Sequence, residues 1–150
     1  MSPCPNVRFR LASAITGPLR TFDRAIAKAD TVDQTFAIAQ QIRGNFGEVE
    51  TAPEFSGERV WLTVYLSGRP EQLARLVDDL EELGWTNLTD WDGGFIYPKL
   101  ETQKSADAAL DAMTNFCRVT QRYGARVELV DADTGSDVVT SRFITLYESS

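Results

Sequence analysis

The 150-residue sequence contains no histidine. That absence removes the commonest general base and transition-metal ligand, and with it every Ser-His or Cys-His nucleophile pair. Cysteine is nearly as scarce: Cys4 and Cys117 stand far apart and match no metal or redox spacing, so neither a metal nor a cofactor is expected. Such cysteine usage implies a reducing, cytoplasmic setting by default. Long apolar runs are also missing, and nothing approaches the roughly 20 residues of a membrane helix. Ala12-Ser13-Ala14 has the small residues of a leader cleavage site, but Arg8 and Arg10 interrupt the apolar segment a secretory leader requires. No glycine-rich phosphate loop is present. Gly93-Gly94 leads into Phe95-Ile96-Tyr97-Pro98 rather than a helix start, so nucleotide binding is unsupported.

Positive charge is the other deficit. Lys plus Arg is 15 against 22 for Asp plus Glu, a net charge of -7, which disfavours broad binding to nucleic-acid backbones because that binding needs a cationic surface. The imbalance is uneven: six basic and three acidic residues lie up to residue 45, then nine basic and nineteen acidic ones. Such asymmetry favours a charge-selective partner or self-association.

With 43% hydrophobic and 25% charged residues, the chain reads as one globular domain over 1–150, with residues 1–6 and 148–150 as loose ends. Three helices are predicted. Thr31-Val32-Asp33-Gln34 forms a capping box ahead of Val32, Phe36, Ala39, Ile42 and Phe46, with Gly44 or Gly47 as the stop. Pro70 opens the second, which runs on Leu73, Leu76, Val77, Leu80 and Leu83 to Gly84. The third covers Ser105 to Tyr123 on Ala106, Ala109, Leu110, Met113, Phe116, Cys117 and Thr120, and ends at Gly124.

Strand patterns fill the remainder. Val7, Phe9 and Leu11 alternate with arginines; Val60, Leu62, Val64 and Leu66 alternate with Trp61, Thr63 and Tyr65; Val127 and Leu129 alternate with Arg126 and Glu128. Residues 138–147 read as extended, and weaker strands are expected at 47–53, 85–91 and 94–99, with Asp92-Gly93-Gly94 as a hairpin turn. Turn composition marks 53–58 and 131–137, while 16–30 permits a short helix without caps.

This order of strands and helices predicts an α+β fold, an antiparallel sheet with helices on one face. It resembles the split β-α-β arrangement of ferredoxin-like folds with extra strands, and both windows 7–97 and 59–131 fit. The resemblance implies a scaffold and no activity, since that scaffold hosts many functions.

Chemistry-bearing clusters are few. The carboxylate pairs Asp78-Asp79, Glu81-Glu82, Asp90-Asp92 and Asp131-Asp133 read as solvated surface rather than catalytic dyads. Asp131 to Asp137 has oxygen side chains at alternate positions, but Ser136 and Arg142 occupy the positions where a calcium loop needs Gly and Glu, so a hairpin link is expected there. On helix 70–83 the core stripe leaves Glu71, Asp78 and Glu82 outward, with Arg75 spaced to pair with Glu71 and Asp79. Continued by Asp90 and Asp92, that face forms an anionic docking surface. Trp61, Thr63 and Tyr65 would face away from the helices and be covered by a second copy of the chain, giving a homodimer.

The resulting expectation is a non-enzymatic acidic module, an inhibitor or adaptor that occupies a basic surface of a nucleic-acid-handling partner in the manner of a phage-type inhibitor. One alternative is a small-molecule-binding or enzymatic ferredoxin-like dimer. Another is RNA binding on the aromatic face, although the RNA-recognition signature is absent.

Overall fold

A computed structural model describes residues 33–52, 55, 57–89, 91–133 and 142–149, of which all but Asp33 belong to the unit Gln34–Ser150. The expected strand at 7–11, segment 16–30, the cap at Thr31, Cys4, Asp90 and residues 134–141 lie outside the described residues.

Helix α1 (Gln34–Thr51) buries Ile38, Ile42, Phe46 and Val49, a stripe at steps of four, four and three. It passes straight through Gly44 and Gly47, the expected stops, and occupies residues expected to begin a strand at 47. Each interior glycine costs a helix about 1 kcal/mol. Fully burying Phe46 and Val49 on the same face, at roughly 1.5–3 kcal/mol each, outweighs that cost.

Strand β1 (Arg59–Ser67) alternates as expected, with Val60, Leu62, Val64 and Leu66 buried. Helix α2 (Pro70–Glu82) begins with Pro70 behind the N-cap Arg69, whose backbone N–H donates to Gln72 Oε1 at 2.8 Å. Leu73, Leu76 and Leu80 are buried, whereas Leu83, placed in the core stripe by periodicity, is 40% exposed because it lies at the C-cap, past the last helical turn. Strands β2 (Trp91–Asp92) and β3 (Phe95–Ile96) form a hairpin across Gly93, whose φ of +63° suits glycine. Of the expected strand at 85–91, the described residues form only the start of β2 and a single bridge from Thr86 to Lys99.

Strand β4 (Lys99–Gln103) leads to α3 (Ala106–Tyr123). Its ends are set locally: Ser105 Oγ accepts from the Ala108 N–H at 3.2 Å, and Gly124 closes it at φ +78°. Strand β5 (Arg126–Asp133) and β6 (Phe143–Glu148) complete the unit.

The sheet order is β2-β3-β1-β5-β6, with β4 pairing on the same edge of β1 as β3. Every ladder is antiparallel. Orientation alternates along the sheet, so β2 runs parallel to β1 and β5 runs parallel to β4. One buried cluster joins the β1 side chains and Val127, Val130 and Ala132 of β5 to all three helices, with Trp85 edge-on to Phe116 at 4.7 Å and Cys117 as small core filler.

Two glutamines of α1 bind backbone groups of β5 and β6. Gln34 donates to Val127 O at 2.9 Å and accepts from Val127 N at 3.1 Å, beyond the last residue pair of β5 and β6. Gln41 does the same for Glu148 on the outer strand, at 3.2 and 3.0 Å. An edge strand otherwise presents such groups unpaired. At that end of the sheet Glu148 pairs with Leu129, and the Ser149 N–H donates to Glu128 O at 2.9 Å.

Strand β5 also runs further than expected. Residues 131–133 read as the start of a turn, but they pair with Trp61, Leu62 and Thr63 on one side and Phe143, Ile144 and Thr145 on the other. A ladder on both sides holds them extended.

Candidate functional site on the second sheet face

Pairing across β1 and β5 puts Leu62 beside Ala132 and Val64 beside Val130, all buried on the helix side. The intervening residues line the second face in rows. One row reads Glu101, Trp61, Asp133, Phe143, and the next reads Lys99, Thr63, Asp131, Thr145. A third joins Tyr65, Leu129 and Glu148.

Glu128 explains why this phase is hard to read. Tyr65 pairs with Leu129 and Leu66 with Val127, so Glu128 is an extra residue that reverses the side-chain alternation of β5. Leu146 plays the same part in β6. After the bulge, Asp131 and Asp133 share a face with Trp61 and Thr63.

These two carboxylates are not solvated, contrary to expectation. Asp131 is 6% exposed, Asp133 2% and Thr63 4%. Asp133 Oδ2 accepts from the Thr63 hydroxyl at 3.0 Å. Asp131 Oδ1 receives no hydrogen bond. Burial raises the Asp131 pKa above its ordinary value; the Thr145 hydroxyl opposes this, the Asp133 charge adds to it, the Tyr65 hydroxyl opposes it, and Glu148 adds to it. Tyr65 is raised too, by burial first and then by the two aspartates. Its ring meets Tyr97 edge-on at 5.2 Å, and the Tyr97 hydroxyl donates to Asp92 at 3.0 Å. Glu128 shows the opposite case: the Ser67 hydroxyl at 2.6 Å lowers its pKa most, against some burial, with Ser149 and Arg126 assisting.

The residues expected to bind a partner are divided between two places. Glu71, Asp78 and Glu82 are exposed on α2. The Gly68 N–H donates to Gly94 O at 3.0 Å, so the hairpin bearing Asp92 lies against the chain entering α2, while Glu82 sits about 16 Å further along the helix from Glu71. The four do not form one cluster. Neither expected intrahelical pair forms: Glu71 meets Arg69 at 3.4 Å, and Asp79 accepts from Arg122 at 2.7 Å and from the Tyr123 hydroxyl at 3.0 Å. Arg75 lies over the Tyr123 ring at 5.9 Å instead. Of the residues expected at a dimer interface, Thr63 is buried within the single chain, and Trp61 and Tyr65 are half-buried.

Elsewhere, a cleft is lined by Gly57, Glu58, Arg59, Gln103, Lys104 and Ser105. Its cations are engaged, Arg59 with Glu101 at 3.3 Å and Lys104 with the Phe55 carbonyl. Among the described residues, no three His, Cys, Asp or Glu side chains gather for a metal ion, and no helix is long and apolar enough to cross a membrane. Sequence reasoning passed over Asp131 and Asp133 as surface. The alternation of Val130 and Ala132 with Asp131 and Asp133 is the signal that marks them as strand. Comparison with family models, curated proteins and solved structures finds no match for this chain.

Proposed function

We propose that this chain is a non-enzymatic acidic protein-binding module that occupies a basic surface of a nucleic-acid-handling partner. The carrying observation is the outer face of α2, where Asp78 and Glu82 are exposed and take part in none of the ion pairs of the described residues. A rigid helix presenting fixed negative charge, on a chain of net charge -7, attracts a cationic surface and selects for it by complementarity. The scaffold reads as a ferredoxin-like split β-α-β core over 59–133, extended by β6 and α1. The order β2-β3-β1-β5, with alternating strand direction, supports that reading.

The test is affinity capture from native host extract with the triple variant Glu71→Lys, Asp78→Lys, Glu82→Lys beside the unaltered chain. Exposed substitutions of this kind change stability by no more than about 0.5 kcal/mol each. The unaltered chain is expected to hold a basic nucleic-acid-handling protein that both raised salt and the triple variant release. Equal capture by the two chains at low salt removes α2 from the interface.

A further inference from the structure

We infer that the outer edge of β6 takes an extended, basic segment of the partner protein as an added strand. The inference rests on the reading of the chain as a module for basic partners and gives that partner a further contact, at the opposite end of the sheet from the β2–β3 hairpin.

Strand β6 ends the order of the sheet, so one side of its backbone faces no strand. The Ser149 N–H donates to Glu128 O next to the pair Leu129 and Glu148. That bond turns the Glu148 N–H and C=O away from β5, where Gln41 meets both. Asn45 donates to Leu146 O. Beyond the bulge the same alternation turns the backbone groups of Thr145 and Phe143 outward, opposite Asp131 and Asp133. Among the described residues, no side chain caps those outward groups. Helix α1 thus covers one half of the edge with its amides and leaves Phe143 to Thr145 open. Native edges are commonly guarded by lysine or proline. Phe143-Ile144-Thr145 carries neither, Phe143 is 51% exposed, and its aromatic and β-branched side chains favour strand pairing.

Charge decides the occupant. Helix α1 runs antiparallel to β6, since Gln41 meets Glu148 and Asn45 meets Leu146. Glu48, two turns on from Gln41 on the same side of the helix, therefore comes alongside Thr145 and Ile144. It is exposed and belongs to none of the ion pairs of the described residues. A second copy that paired the open residues with themselves would centre on Ile144 and bring Glu48 towards its own counterpart, a like-charge contact on a chain of net charge -7. A basic strand meets no such repulsion. Successive side chains of an added strand point to opposite faces, so a lysine or arginine meets Glu48 on the helix side while its apolar neighbour covers Phe143 on the second face.

The test uses the full chain and a short synthetic peptide of alternating lysine and valine, read by titration calorimetry. A version N-methylated at every amide keeps the charge but donates no ladder bond, and it is expected to bind at least about ten-fold more weakly, because main-chain bonds carry strand addition. Equal binding by the two peptides overturns the proposal, and so does equally tight binding of a peptide of alternating glutamate and valine. Phe143→Pro removes an outward N–H at the first residue of β6, where an edge strand tolerates proline, and should weaken the lysine peptide by about ten-fold or more. Glu48→Lys should weaken it by about five-fold or more, against less than about two-fold for Asp111→Lys, an exposed position on α3. Equal effects of those two mean general charge attraction and overturn the site; neither lies in β6, so this arm does not depend on the folding of Phe143→Pro. Light scattering that shows a dimer dissociated by Phe143→Pro, with no peptide binding, assigns the edge to a second copy and also overturns it. Failure of the wider reading looks different: the lysine peptide binds in a manner dependent on Phe143 and Glu48, yet no basic protein is captured from host extract. If a basic partner is captured equally by the unaltered chain and Phe143→Pro, the module stands and this contact does not.

Discussion

The Thr63 hydroxyl reaches past its ladder partner Asp131 to donate to Asp133 at 3.0 Å. That diagonal bond serves Asp133, and Asp131 Oδ1 stays unpartnered inside the protein although the Thr145 and Tyr65 hydroxyls bond the same carboxyl. Two aspartates with almost equal burial therefore differ in what they contribute to stability.

Asp131→Asn is expected to stabilise the free protein at neutral pH by about 1 kcal/mol, because burial penalises the charged carboxylate and the neutral amide is free of that penalty. The pKa of Asp131 is raised in the folded state above its ordinary 3.8. Between those two values the folded chain holds more protons than the unfolded one, so this group's contribution falls as pH rises through the window. The gain from Asp131→Asn should therefore be full above the raised value and disappear towards pH 3.8 and below. Urea denaturation across that range measures it, and a gain that grows on acidification contradicts the account.

Gln34→Ala should cost about 1–3 kcal/mol, since it strips both partners from the part-buried Val127 backbone. Gln41→Ala removes the same pair of bonds from Glu148, where water replaces them, and should cost no more than about 0.5 kcal/mol. Chemical denaturation of the two variants side by side decides it.

Glycines of this chain should respond in opposite directions. Gly124→Ala places a Cβ at φ +78° and 2.9 Å from Gln72 Nε2, a change expected to cost about 1–2 kcal/mol. Gly44→Ala meets nothing within 4 Å on a helix interior and should add about 0.5–1 kcal/mol. Thermal melting gives both signs.

Neighbouring aspartates on α2 make a further contrast. Asp79→Ala strips Arg122 and the Tyr123 hydroxyl of their shared acceptor and should cost about 1 kcal/mol, whereas Asp78→Ala stays within about 0.5 kcal/mol. Similar losses from both would show that the bridge between α2 and α3 contributes little.

Helices α2 and α3 and strand β1 were legible from the sequence alone. Their limits depend on signals acting within a few residues: Pro70 behind Arg69, Ser105 and Gly124 as caps, and the strict alternation of Val60 to Leu66. What escaped it depends on partners distant in sequence. Gly44 and Gly47 read locally as stops, yet α1 continues because Phe46 and Val49 find a core built from the other two helices and the sheet. Asp79 reads as a partner for Arg75 until α3 brings Arg122 within 2.7 Å. Asp131 and Asp133 have the composition of a turn, and only pairing to β1 and β6 extends and buries them. Which face they occupy was set by the extra residue at Glu128, a bulge defined by register between two strands and therefore invisible in either one. Local chemistry determined where elements begin and end, while burial, register and the unpartnered oxygen of Asp131 arise only when strands some 70 residues apart in the chain are paired.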